Sequence, residues 1–116
     1  MIRLTPETLA AAYDYICTMP PFDGWNLPPS DDVRFQVIKS RDVFGQVRWN
    51  GTQYHMQISS RMCQRHSTLI ATVAHEAIHI YQHSACFMRK NVHDAAFWLL
   101  ADEVCQHHPD FDRAVF

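Results

Sequence analysis

The sequence has no excess of basic charge. Ten Lys and Arg stand against twelve Asp and Glu, a net charge of -2 with histidines neutral. That balance does not suit a dedicated nucleic-acid binder, whose affinity rests on neutralising phosphates. No apolar run approaches the length of a membrane span, so no membrane partner is expected. The start, Met1-Ile2-Arg3-Leu4, leads into no signal-peptide-like apolar stretch, which predicts an intracellular protein. The cysteines Cys17, Cys63, Cys86 and Cys105 contain no C-x-x-C pair, which excludes a zinc ribbon. An intracellular setting predicts free thiols. There is no internal repeat and no low-complexity segment. The 116 residues are read as one domain, 1–116.

What is present reads as an alternation of helix and strand signals. Thr5-Pro6-Glu7 combines a capping hydroxyl, a proline at the first helical position and an acid near the positive helix end. With Leu9, Tyr13, Ile16 and Cys17 at helical spacing, it predicts a helix over Pro6–Thr18. Four prolines between Pro20 and Ser30, set around Phe22, Trp25 and Leu27, predict a rigid loop covering the core. Val33, Phe35 and Val37 alternate with polar residues, as in a half-buried strand. Asn50-Gly51 suits a two-residue hairpin turn with positive φ at both positions. That turn pairs Trp49 with Thr52, Val47 with Tyr54, Gly45 with Met56 and Val43 with Ile58. These residues share one face; Phe44, Gln46, Arg48, Gln53, His55 and Gln57 form the other. Ser67 or Thr68 is the expected cap of a helix that is apolar over most of its circumference. A last helix is expected from about Asp94 to His107, with Trp98, Leu99 and Leu100 in the core.

The middle helix carries His75-Glu76-Ala77-Ile78-His79. Histidines four apart lie one turn apart on one helical face, where two imidazoles can grip one zinc ion. Glu76 lies about 100° round from His75, placed to take a proton from water. By accident, H-E-x-x-H arises on the order of once in a hundred sequences of this composition. The flanking Val73, Ala74 and Ile80 make two histidines and a glutamate costly here unless a metal engages them.

A catalytic zinc needs a third protein ligand and an open position. The candidates are His83, His93, Asp94, Asp102 and Glu103. His83 is one further turn along the same helix. Three imidazoles in line do not make a tetrahedral corner, so His83 reads as flanking. A helix–helix turn centred near Cys86 brings His93 opposite His79; one centred near Lys90 favours Asp102 or Glu103. Spacing leaves these open. Asp102 and Glu103 also suit a role orienting a ligating histidine. His55 reads as a surface histidine, His107-His108 as a helix C-terminus, and Tyr81 as packing. Tyr54 and Tyr81 are also candidates for stabilising an oxyanion.

The run His75-Glu-Ala-Ile-His79, followed fourteen residues later by His93-Asp-Ala-Ala-Phe97, resembles the SprT-like metallopeptidase domain, whose family includes the Spartan proteases that degrade DNA–protein crosslinks. The resemblance covers roughly Val33–Cys105. Asp94 replaces the usual glycine. The resemblance implies a zinc centre with ligands His75, His79 and His93, and Glu76 as general base. Nucleic acid enters as a partner only through it. The expected architecture is α+β and zincin-like: an N-terminal helix, a small mainly antiparallel three-stranded sheet, the H-E-x-x-H helix and a following ligand-bearing helix. The expected function is zinc-dependent hydrolysis of a protein or peptide laid beside the hairpin between Phe44 and Ile58. The alternative is a zinc-stabilised binding or accessory module without proteolysis. The residues assign no oligomeric state.

Overall fold

The computed structural model describes residues 3–85, 93 and 95–111. The chain runs α1 (Pro6–Cys17), β1 (Val33–Ile38), β2 (Gly45–Trp49), β3 (Tyr54–Ser59), α2 (His66–Ser84) and α3 (Ala95–His107). Short 3-10 turns at Phe22–Gly24 and Ser30–Asp32 separate α1 from β1. The fold is α+β.

α1 begins as its sequence predicts. The Thr5 hydroxyl accepts a hydrogen bond from the Thr8 amide at 3.1 Å, Pro6 opens the helix, and Glu7 sits in the first turn. Leu9, Tyr13 and Ile16 form its buried stripe. The proline-rich loop is pinned by side chains. Phe22 is buried and meets Trp25 edge-on, while Trp25 stacks on Tyr81 with centroids 4.5 Å apart. The Tyr13 hydroxyl donates to the Pro28 carbonyl at 2.7 Å.

The sheet order is β1-β3-β2. β2 and β3 are antiparallel, but β1 and β3 are parallel, so the sheet is mixed and not mainly antiparallel. After β1 the chain crosses to the far edge, and the hairpin then inserts β3 in the centre, running alongside β1. A local turn fixes only the hairpin and is silent on where β1 joins.

The hairpin register also differs from the expected one. Trp49 pairs with Tyr54, Val47 with Met56 and Gly45 with Ile58, leaving Asn50–Gln53 as a four-residue loop. Gly51 takes φ 100°, but Asn50 does not adopt positive φ. Instead its side-chain oxygen accepts from the Thr52 amide, the Thr52 hydroxyl and the Gln53 amide, each at 2.9 Å. An Asx-type loop thus replaces the two-residue turn. The slip is two residues, an even number, so the faces are preserved. Tyr54, Met56 and Ile58 point into the core, while Gln57 on the other face bonds Gln36 and Gln46 across the sheet.

α2 packs against α1, β2, β3 and α3. It starts at His66, with Arg65 before it and no side-chain cap, so Ser67 and Thr68 fall inside the first turn. On α3 the buried stripe is Phe97, Ala101 and Val104. Trp98 and Leu100 are partly buried, but Leu99 is 71 % exposed and is not core. The i, i+4, i+7 stripe leaves Leu99 on the opposite side of the helix. Cys17, Cys63 and Cys105 are free; Cys86 lies outside the described residues. No described helix is long and apolar enough to cross a membrane.

Gly45 sits where β2 presses on α2. A Cβ there would stand 2.8 Å from Ile58 Cδ1, 2.9 Å from the Gln57 carbonyl oxygen and 3.1 Å from Thr72 Cγ2. The backbone oxygen has little freedom to retreat. Gly45→Ala is expected to destabilise the fold by about 1–3 kcal/mol through overpacking. Urea unfolding measures this; a change under about 0.5 kcal/mol would show that the contact is soft.

Candidate metal centre

His75, Glu76 and His79 lie in the middle of α2, where the helix is buried almost all round. His93 stands two residues ahead of α3, in a turn and not on the helix. The three imidazoles converge. Each pair of Nε2 atoms, His75–His79, His75–His93 and His79–His93, is 3.2 Å apart. They form the one group of three or more His, Cys, Asp or Glu side chains, among the described residues, that can hold a metal ion.

Burial decides the protonation states. It pushes His75 down to about 3, helped by His79 and His93, and His79 down to about 4, helped by His93. Both are therefore neutral at physiological pH. The buried Gln82 fixes the tautomer of His79: the Nδ1–H donates to Gln82 Oε1 at 3.2 Å, leaving the Nε2 lone pair aimed at the centre. Phe97, fully buried, is a common floor. Its ring stacks on His79 with centroids 4.8 Å apart and lies 4.9 and 4.8 Å from His75 and His93.

These donors fit a zinc-type ion. Tetrahedral coordination at about 2.0–2.1 Å places ligand nitrogens about 3.3–3.4 Å apart, close to the 3.2 Å found. A proton between two of the nitrogens satisfies one pair at a time, whereas a cation satisfies all three lone pairs together.

Glu76 is 5 % exposed, and burial pushes its carboxyl up to about 8. It lines two small cavities at the centre. One, about 210 Å³, is walled by Val43, Phe44, Gly45 and Thr72 with His75 and His93. The other, about 190 Å³, is walled by Gly45, Gln46 and Val47 with all three histidines. The first lies against the segment that leads into β2, and the second runs along β2 itself, an edge strand of the sheet.

The other candidate residues lie elsewhere. His83 Nδ1 meets the Tyr54 hydroxyl at 2.7 Å, away from the trio. Tyr81 packs on Trp25. Asp102 and Glu103 are exposed on α3 and outside the cluster, and Asp94 lies outside the described residues. His55 sits between Arg34 and Arg48 on the opposite sheet face; burial and then the two arginines hold its imidazole below the usual range. His108 Nε2 donates to the Pro20 carbonyl at 2.7 Å. Two residues of the centre were missed by sequence reasoning: Gln82, and Phe97 as the floor. An amide three residues after His79 on the same helix is the signal that marks Gln82.

The SprT-like family model matches residues 22–115, and the chain belongs to that family. No curated protein and no solved structure matches the chain.

Two outcomes are expected. Gln82→Leu removes the acceptor that orients His79 and should weaken the cluster's affinity for a divalent metal ion about 10–100-fold, read by competition with a chelating dye. Glu76 favours the metal-free fold only while protonated. That contribution is complete below its ordinary value of 4.5 and is lost as pH climbs through about 8. Metal-free Glu76→Gln should therefore gain stability over the metal-free parent as pH rises from 5 to 8 in urea titrations. A constant gap across that range would contradict a buried, protonated Glu76.

Proposed function

We propose that this member of the SprT-like family is a zinc-dependent peptidase with His75, His79 and His93 as metal ligands and Glu76 as general base. The observation that carries the reading is the convergence of three imidazole Nε2 atoms beside the buried Glu76 carboxyl group, in a cavity that opens along an edge strand. Three protein ligands leave a fourth position for chemistry, unlike the closed four-ligand sets of structural sites. When bound, zinc supplies Lewis acidity, polarising the scissile carbonyl and making water acidic near neutral pH.

The chain's own residues supply the rest. β2 is short and lies at the sheet edge, so an extended substrate can join it as a further strand. Such pairing uses backbone groups and positions the scissile bond beside His75 and Glu76. Glu76 takes a proton from the attacking water as the new carbon–oxygen bond forms. It then delivers that proton to the amine as the carbon–nitrogen bond breaks. The water-poor surroundings of Glu76 strengthen each of these interactions. Phe97 and Gln82 keep the imidazoles in place and touch no substrate.

The test is a pair of variants. The purified protein should bind about one zinc per chain and cleave an unfolded protein such as casein. Glu76→Gln should retain the zinc and lose at least about 100-fold in cleavage rate. His93→Ala should lose both metal and cleavage. Zinc binding without cleavage in the parent would favour the non-proteolytic binding module. Cleavage that survives Glu76→Gln would remove Glu76 from the base role.

A further inference from the structure

A much larger cavity, about 910 Å³, opens past the far end of β2. The proposed chemistry does not use it. Its walls include Asp31 and Asp32 from the turn before β1, Trp49 and Tyr54 from the hairpin, and His83 and Ser84 from the end of α2. Trp49 is 45 % exposed, unusual for so large an apolar ring. Yet the ring is held: its centroid lies 4.7 Å from Tyr54 and 5.6 Å from His83, and those two are joined by the 2.7 Å hydrogen bond. A fixed, half-open indole face is a favourable surface for a cation.

The electrostatics have one sign. Two carboxylates stand on one side, and the C-terminal end of a 19-residue helix, the negative end of its dipole, stands on another. No lysine or arginine lines the cavity. The position relative to the metal centre matters as well. The centre is bordered by Gly45, Gln46 and Val47, and Trp49 follows two residues later on the same strand and the same face. The cavity reaches from Trp49 at the end of β2, past Tyr54 of β3, to Asp31 and Asp32 ahead of β1, so a side chain entering from a chain paired with β2 meets the Trp49 ring first and must be long to approach the carboxylates.

We propose that this cavity binds a cationic side chain, arginine or lysine, of an extended chain laid along β2, with Trp49 as the stacking face and Asp31 and Asp32 as the counter-charges. The assignment of this side chain to a substrate rests on the peptidase reading. The cavity's preference for a cation does not.

The test uses binding, with cleavage disabled. Zinc-loaded Glu76→Gln protein is titrated at pH 8 with fluorophore-labelled, end-capped octapeptides of alanine and serine. These differ only in one central residue: arginine, norleucine or glutamate. The arginine peptide should bind about tenfold tighter than the norleucine peptide, and the glutamate peptide weakest. Adding Asp31→Asn and Asp32→Asn, both exposed and safe for folding, should cut the arginine advantage to within about twofold, as should Trp49→Ala. Equal binding of arginine and norleucine peptides, no measurable binding of the arginine peptide, or an advantage that survives Asp31→Asn/Asp32→Asn would each overturn the proposal. Casein cleavage by the parent protein separates the two readings. An arginine preference without cleavage sinks the peptidase and leaves the cation site standing. Cleavage without the preference does the reverse.

Discussion

The burial of α2 is the constraint from which the rest follows. Eleven of its 19 residues are buried, and Glu76 and His79 are among them. Ionised groups in such a place lose their hydration with nothing equivalent in return. The imidazoles of His75 and His79 therefore stay neutral, and the Glu76 carboxyl holds its proton well above the usual carboxylate range. Neutral imidazole is the form that binds metals, so desolvation prepares the donor set before any ion arrives. Gln82 completes the preparation by claiming the Nδ1 proton of His79.

A carboxyl near 8 looks poorly suited to act as a base at neutral pH. The difficulty belongs to the metal-free state. A divalent cation beside Glu76 favours its ionised form and acts against desolvation. The same burial that protonates the residue without metal leaves a poorly hydrated carboxylate once a cation neutralises the site. In the proposed reaction, low solvation raises the proton affinity of Glu76 and the cation lowers it, and the balance of the two sets its strength as a base.

How far the sequence reveals this depends on the range of each interaction. Thr5-Pro6-Glu7 and the apolar spacing of α1 act within a few residues and are legible. The helical face shared by His75 and His79 is legible for the same reason. The hairpin was half legible: the alternation fixed which residues face the core, but Asn50 used its side chain where a turn code assumes backbone, and the register moved by two. The parallel placement of β1 depends on contacts across the sheet and leaves no local mark. Spacing left His93 level with Asp102 and Glu103, because the answer depends on how α3 packs. Only the family resemblance favoured His93, and the structure brings it to the other two. Leu99 was misread because three apolar residues in succession hide which one faces out; the spacing of Phe97, Ala101 and Val104 tells them apart.

The placement of His93 gives the centre an asymmetry with a physical consequence. Two donors stand on one rigid helix, and their separation is set by helical geometry alone. The third comes from a turn ahead of α3 and is the most exposed of the trio. An ion held by all three would tie α2 to the turn ahead of α3, above the contacts that the Phe97 ring makes with His79 and His93. Whatever free energy the ion gains from its third ligand is then shared with the packing of α3 on α2. That shared term would add to the burial of Phe97, Ala101 and Val104, which packs the last helix onto the core without it. On the proposed metal-binding reading, burial and Gln82 set the two donors on α2, and an ion would add the tie from them to the turn that carries His93.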